Sequence, residues 1–345
     1  MNDEGKPWRW VAAAVRLTLL VMLAVLALCP MAARASAASV IPVGRAVGIK
    51  LFSDGVVVVG TSDIMTDKGR VNPAKACGLR EGDIITHINS TEVDTIEEVS
   101  ALLQELEGES MSIRAIRDER QVQLTAQAAL CSADGSYKLG AWIRDSMAGI
   151  GTVTFYCPDT GTFGALGHGI NDVDTALLMP LDSGSILPAS VSAVQRGEAG
   201  APGQLKGVFD TSTTLGELSC NTTSGVFGTV LQEDWLEGRT VETARREEVK
   251  AGRATILSNI SGDTVAEYEI QIMKVYPDSK SDCRDFLIRV TDPRLLEATG
   301  GIVQGMSGSP ILQNGKLVGA VTHVMVDDPT KGYGIYIGNM LEAAG

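Results

Sequence analysis

What most limits the folds open to this chain is how short its apolar runs are beyond the first forty residues. Val, Ile and Thr recur in small groups, and 38 glycines together with Asp and Asn turns break them up. Such a pattern favours strands joined by tight turns over a helical bundle. Candidate strands fall at Trp142-Ile143, Gly149–Tyr156, Ala189–Val194, Thr255–Leu257, Tyr268–Val275, Phe286–Val290, Ile311-Leu312 and Leu317–Val326, with a loop or short helix expected over Glu237–Arg253. Many short strands and few long helices point to a mainly β chain of the barrel or sandwich class. A length of 345 residues suggests two domains. The net charge of -13 argues against nucleic-acid binding, which wants a basic surface. No P-loop or dinucleotide fingerprint follows a strand, so nucleotide chemistry has no support.

The first 38 residues differ from the rest. Lys6, Arg9 and Arg16 lie in or before an apolar stretch, and Leu17 to Ala33 carries no charge. Basic residues on the near side direct the remainder across a membrane, and Ala35-Ser36-Ala37 fits the small-x-small pattern read by signal peptidase. Residues 1–38 are therefore expected to be a signal peptide or a retained signal anchor, with the functional part outside the cytoplasm. The six cysteines, Cys29, Cys77, Cys131, Cys157, Cys220 and Cys283, form no CxxC pair. That speaks against a structural zinc site and leaves open both disulfides and free thiols.

Residues 39–127 read as one small unit. Asp54-Gly55 is a turn before the run Val56–Val59, and Ile84, Ile85 and Ile88 mark a strand ending at Asn89-Ser90. Thr95 and Glu98 have the spacing of a capping box, and Ile96, Val99 and Leu103 share one face of the helix that follows. Two strands are expected between Ile113 and Leu124, joined around Arg117–Arg120. With Gly78 to Val93, "GLREGDIITHINSTEV", this unit resembles a PDZ domain. The resemblance implies that the helix lines a peptide groove and that Gly48-Ile49-Lys50-Leu51 forms the loop that binds a peptide carboxylate. Backbone N–H groups in such a turn can capture a chain terminus while the neighbouring strand edge takes the peptide as an added strand. His87 lies inside this unit and reads as structural or exposed.

Residues 128–345 carry the candidate chemistry. In Gly305-Met306-Ser307-Gly308-Ser309-Pro310 a serine stands between glycines that can adopt unusual backbone angles. Such a turn can aim a serine hydroxyl outward and present the N–H groups of Gly305 and Ser307 to a developing oxyanion. Taken alone, the same six residues also suit an ordinary turn. Only three histidines are present, His87, His168 and His323. His168, inside Gly164–Ile170, suits a general base held at a strand end, with His323 as its rival. Asp292 is the candidate to orient the imidazole, with Asp172, Asp174, Asp327 and Asp328 as competitors. Ser307 is preferred to Ser309 because it fills the serine place of a Gly-x-Ser-Gly pattern.

The segment from Gly301 to Met340, with "GALGHGI" and the position of Asp292, resembles the stage IV sporulation protein B peptidases, PDZ-containing serine peptidases of spore-forming Firmicutes. The resemblance implies a trypsin-like double β-barrel and a Ser307, His168, Asp292 triad that needs no cofactor. It implies a protein or peptide substrate and regulator, self-cleavage, and a membrane-associated partner around the developing forespore, in the space between the forespore and mother-cell membranes. Cleavage there would relieve inhibition of an intramembrane protease and switch on a late sigma factor. A competing reading is a non-catalytic PDZ-bearing adaptor; a third is an esterase.

Overall fold

The computed structural model describes residues 38–276 and 283–345. The expected leader falls on residues 1–38 and so lies, Ala38 apart, outside them. Among the described residues no helix is long and apolar enough to cross a membrane, and no disulfide joins the described cysteines.

Strand β1 (Ala46–Thr61) runs for 16 residues. The chain then folds α1 (Pro73–Cys77), β2 (Ile84–Ile88), α2 (Ile96–Glu105), β3 (Ser110–Arg117) and β4 (Arg120–Gln127), and returns along the 17-residue β5 (Ala141–Cys157). Local sequence explains much of this course. Gly78 ends α1 in the left-handed region at φ 87°, where glycine carries no steric penalty. Thr95 and Glu98 form the capping box of α2, each bonding the other's backbone N–H. Val99 and Leu103 of that helix are buried against Val58, Ile85, Ile88 and Ile113, giving the PDZ-like unit its own core. Arg117 closes it by pairing with the buried Asp83 at 2.7 Å and donating to the Gly78 carbonyl.

The remaining elements form two closed barrels. The first half of β1 pairs with β5 on one edge and with β7 (Ser183–Gln195) on the other. The ring is completed through β6 (Thr162–Ala165), β8 (Gly216–Thr222) and β9 (Gly225–Val230), in the order β1-β5-β6-β9-β8-β7. Leu51, Phe163, Ile186 and Val226 fill its interior. The second barrel contains β10 (Gly252–Ser261), β11 (Thr264–Val275), β12 (Phe286–Val290), β13 (Pro310–Gln313), β14 (Lys316–Val324) and β15 (Lys331–Tyr336), closed in the order β10-β11-β12-β15-β14-β13. Ile256, Ile270, Phe286, Ile288 and Ile311 form its core. Helices α3 (Pro293–Thr299) and α4 (Ile337–Ala344) follow β12 and β15. Closure removes the sheet edges on which open β folds aggregate. The fold is the double β-barrel that the resemblance implied. In the stretch Glu237–Arg253, expected as a loop or short helix, a two-residue strand and a short 3-10 turn form.

The PDZ-like unit is an insertion between β1 and β5, two adjacent strands of the first barrel. Both strands run on into it: Val56 and Val57 pair with β2, while Val57 to Thr61 pair with Arg144 to Ala141. The expected 39–127 and 128–345 units therefore exchange material, Ser39–Phe52 serving the barrel and Ala141–Arg144 serving the PDZ-like sheet. This corrects the placement of Gly48-Ile49-Lys50-Leu51. These residues lie in mid-barrel with partners on both edges, Ala148 to Ile150 and Met147 on one side and Gly184 to Leu187 on the other. Their N–H groups are committed to the ladder, so they form no open loop for a peptide terminus. A Cβ on Gly48 would meet the Phe209 ring at 2.6 Å.

Candidate active site

The nucleophile loop joins α3 to β13 and docks against the first barrel. Gly305 and Gly308 stand at φ 98° and 96°. At Gly308 an added Cβ would lie 2.0 Å from the Thr152 carbonyl oxygen, so the site excludes any side chain. Thr152 of β5 staples the loop: its N–H donates to the Ser307 carbonyl (3.1 Å) and its hydroxyl to the Gly305 carbonyl (2.8 Å). The Thr152 carbonyl accepts the N–H of Leu166, tying in the segment that carries His168. Ser307 Oγ donates to the Thr322 carbonyl at 2.8 Å. Ser309 is fully buried with its hydroxyl on Ser258, turned away from the cavity.

His168 follows two residues at positive φ, Leu166 (67°) and Gly167 (70°), and lines the same cavity as Ser307, whose hydroxyl bonds the Thr322 carbonyl and not the imidazole. Its Nδ1 lies 2.8 Å from the Gly169 carbonyl. A carbonyl only accepts, so Nδ1 carries the proton and the lone pair stays on Nε2, as a general base requires. Burial pushes its pKa below the ordinary histidine value, opposed in part by that carbonyl. The His323 ring lies 5.3 Å away, centroid to centroid.

These groups line one cavity of about 540 Å³, with Ser307, His168, His323, Thr322 and Gly305 around it. Most of the wall is apolar, including Ile49, Met147, Ile150, Leu166, Ile302 and Val324. The N–H groups of Gly305 and Ser307, the expected oxyanion donors, have no acceptor among the described residues. A hydroxyl, an imidazole and the residues that bear those two donors line one space, the parts acyl transfer needs.

Asp292 stands apart from this group. It is the N-cap of α3, accepting the Arg294 N–H at 2.9 Å, and it pairs with the Arg294 guanidinium at 2.7 Å. It also accepts the Glu269 N–H. Those bonds, Arg294 foremost, lower its pKa to about 2. It makes no hydrogen bond to His168, whose Nδ1 is taken by Gly169. The other aspartates are engaged elsewhere too: Asp172 and Asp174 with Arg144, and Asp328 with Lys331 and Thr330, while Asp327 is exposed. His87 lies in β2, opposite Glu92 and Arg114, away from the cavity. Sequence reasoning missed Thr152 and Thr322. Neither carries a signal in a one-dimensional pattern, because each acts through a backbone contact made across the fold.

The sequence model of the SpoIVB peptidase S55 family matches residues 135–341, and that of a PDZ domain matches residues 72–117. A zinc metalloprotease, RasP of Shouchella clausii, is 35% identical over 79 residues, 23% of this chain. The chain spans only 18% of the length of that curated relative. Among solved structures, the PDZ domain of an SdrC-like protein from Listeria monocytogenes is 21% identical, covering 26% of this chain and 87% of that one, with a TM-score of 0.22. The Rv3671c protease of M. tuberculosis in its active form is 16% identical, covering 59% of this chain and 75% of that one, with a TM-score of 0.31. The family match runs through both barrels and takes in Ser307 and His168, more than half of the sequence, and on that ground the chain belongs to the SpoIVB peptidase S55 family and is a peptidase that carries a PDZ domain.

Proposed function

We propose that the protein is a serine endopeptidase in which Ser307 attacks the scissile carbonyl and His168 takes its proton through Nε2. Ser307 Oγ leaves the Thr322 carbonyl as it attacks, and the N–H groups of Gly305 and Ser307 receive the oxyanion. His168 then protonates the leaving amine, and water releases the acyl-enzyme. What carries this reading is that Ser307, His168 and Gly305 line one cavity and that the N–H groups of Gly305 and Ser307 have no acceptor among the described residues. The Gly169 carbonyl fixes the imidazole tautomer, the part a carboxylate plays in a Ser-His-Asp triad. The place of Asp292 in the triad rests on the resemblance alone; its bonds to Arg294 and Glu269 support a structural role as helix cap.

The substrate we propose is a membrane-associated regulatory protein, cleaved during sporulation outside the cytoplasm, whose loss activates an intramembrane protease and late sigma-factor signalling. The same site is proposed to cut the enzyme's own chain. Family membership and the PDZ unit, a peptide-binding module, support this reading. Incubating the full chain with an unfolded polypeptide tests the activity. The wild type is expected to cleave it, Ser307→Ala and His168→Gln to leave it whole. A folded wild type that binds peptides without cleaving any polypeptide is an adaptor instead.

A further inference from the structure

Arg144 stands where three parts of the molecule meet. In β5 it follows Ala141 and Ile143, which pack on the PDZ-like core, and precedes Met147 to Ile150, which line the cavity. Its guanidinium holds two carboxylates of the loop after His168: Nε is 2.6 Å from Asp172 Oδ2, and Nη2 is 2.7 Å from Asp174 Oδ2. The Asp172 side chain has no solvent exposure. Its other oxygen accepts the N–H groups of Asp174 and Thr175 and the Thr175 hydroxyl. One carboxylate thus shapes the loop through Oδ1, while Oδ2 meets Arg144 Nε as a close ion pair without hydrogen-bond alignment; the aligned hydrogen bond from the guanidinium goes to Asp174.

Contacts continue from this clamp in both directions. Toward the chemistry, Asn221 pins Ile170 by its N–H and its carbonyl, and the Gly169 carbonyl takes His168 Nδ1. Toward the PDZ unit, Asp145 sits at a bulge, where β5 and β1 slip in register. Its carboxylate accepts the Ile96 N–H at the start of α2. Bulges re-aim side chains in this way. Leu177, from the loop that Arg144 holds, lies against Gly82 of the PDZ-like unit.

We infer that Arg144 is a positioning residue for the peptidase reaction: by clamping Asp172 and Asp174 it sets His168 in the cleft and ties that placement to the PDZ-bearing end of β5. This rests on the proposed Ser307–His168 chemistry. The test measures kcat and KM for peptide hydrolysis by the full chain, together with the NMR signals of its imidazoles, which are few enough to assign. In Arg144→Gln, kcat falls about 10- to 100-fold while KM moves less than about twofold, as for loss of geometry at the reacting centre. The His168 signal shifts and that of His87, in β2, does not. Arg144→Lys keeps a cation beside buried Asp172 and so guards against misfolding, but an ammonium cannot span both carboxylates; its kcat falls between the two. Full kcat in Arg144→Lys, or in folded Arg144→Gln with an unmoved His168 signal, overturns the inference and leaves the peptidase reading standing. A wild type that does not hydrolyse peptide through Ser307 overturns both.

Discussion

His168 is where burial and function bear on the same atom. Loss of hydration disfavours its imidazolium, so the group titrates below the ordinary value of about 6.5. The base is the neutral form. The acid limb of kcat/KM is therefore expected to rise through a pKa below that value, and a pH–rate profile with its limb at or above it would contradict the assigned environment. The linked effect on stability has the same direction. In the window between the folded and unfolded pKa the unfolded chain binds more protons, so stability falls as pH drops through it. Asp292 gives the second residue-scale prediction. Its pKa is lowered to about 2 by Arg294 and by backbone donors. Its contribution to stability is whole above the unfolded value of about 3.9 and is lost as the pH falls toward the folded one. Asp292→Ala removes a helix cap at a cost of about 1–2 kcal/mol in thermal or urea unfolding. As a cap alone, it leaves kcat within about tenfold; a fall of about 10⁴-fold in folded protein would restore it to the triad.

At the scale of elements, the nucleophile loop depends on contact with the opposite barrel. Gly308 packs on the Thr152 carbonyl at a positive φ, so Gly308→Ala must displace the loop from β5. Unfolding measurements should show a loss of about 2 kcal/mol or more, and hydrolysis should fall with it because both proposed oxyanion donors move. A variant with wild-type stability and rate would mean that the docking is unimportant. The elements readable in the sequence were those specified locally. The capping box at Thr95, the apolar face of α2 and the β3–β4 turn near Arg117–Arg120 all stand as expected. The serine and histidine turns announced themselves through their glycines. A residue between a strand and Pro293 suits a helix cap as well as a catalytic carboxylate, so Asp292 reads both ways in the sequence. Its bond partners, Arg294 and Glu269, favour the cap, and Glu269 is far off in sequence.

For the whole molecule, the mainly β class followed from turn-broken apolar runs and the double barrel from the resemblance alone, but the route of the chain followed from neither. Val56–Val59 reads as a separate short strand, whereas β1 is continuous from the barrel into the PDZ-like sheet. Nothing local marks this, since the first half of β1 takes partners up to 141 positions away (Val47 with Pro188) and the second half up to 87 (Val57 with Arg144), and β5 mirrors it. Gly48–Leu51 was misread for that reason: its composition suits a carboxylate loop, and only pairing with β5 and β7 shows it to be barrel wall. The outcome is a peptidase whose PDZ unit is joined to the first barrel by two shared strands, with Arg144 on one of them bonded to the loop after His168.

Ser307, prepared by His168, is the proposed nucleophile of this fold. That role is tested most directly by treating the full chain with a fluorophosphonate and locating the adduct by mass spectrometry. A single modified serine, Ser307, is expected, with labelling lost in Ser307→Ala and strongly slowed in His168→Gln. An adduct on Ser309, or labelling that survives Ser307→Ala, would contradict it.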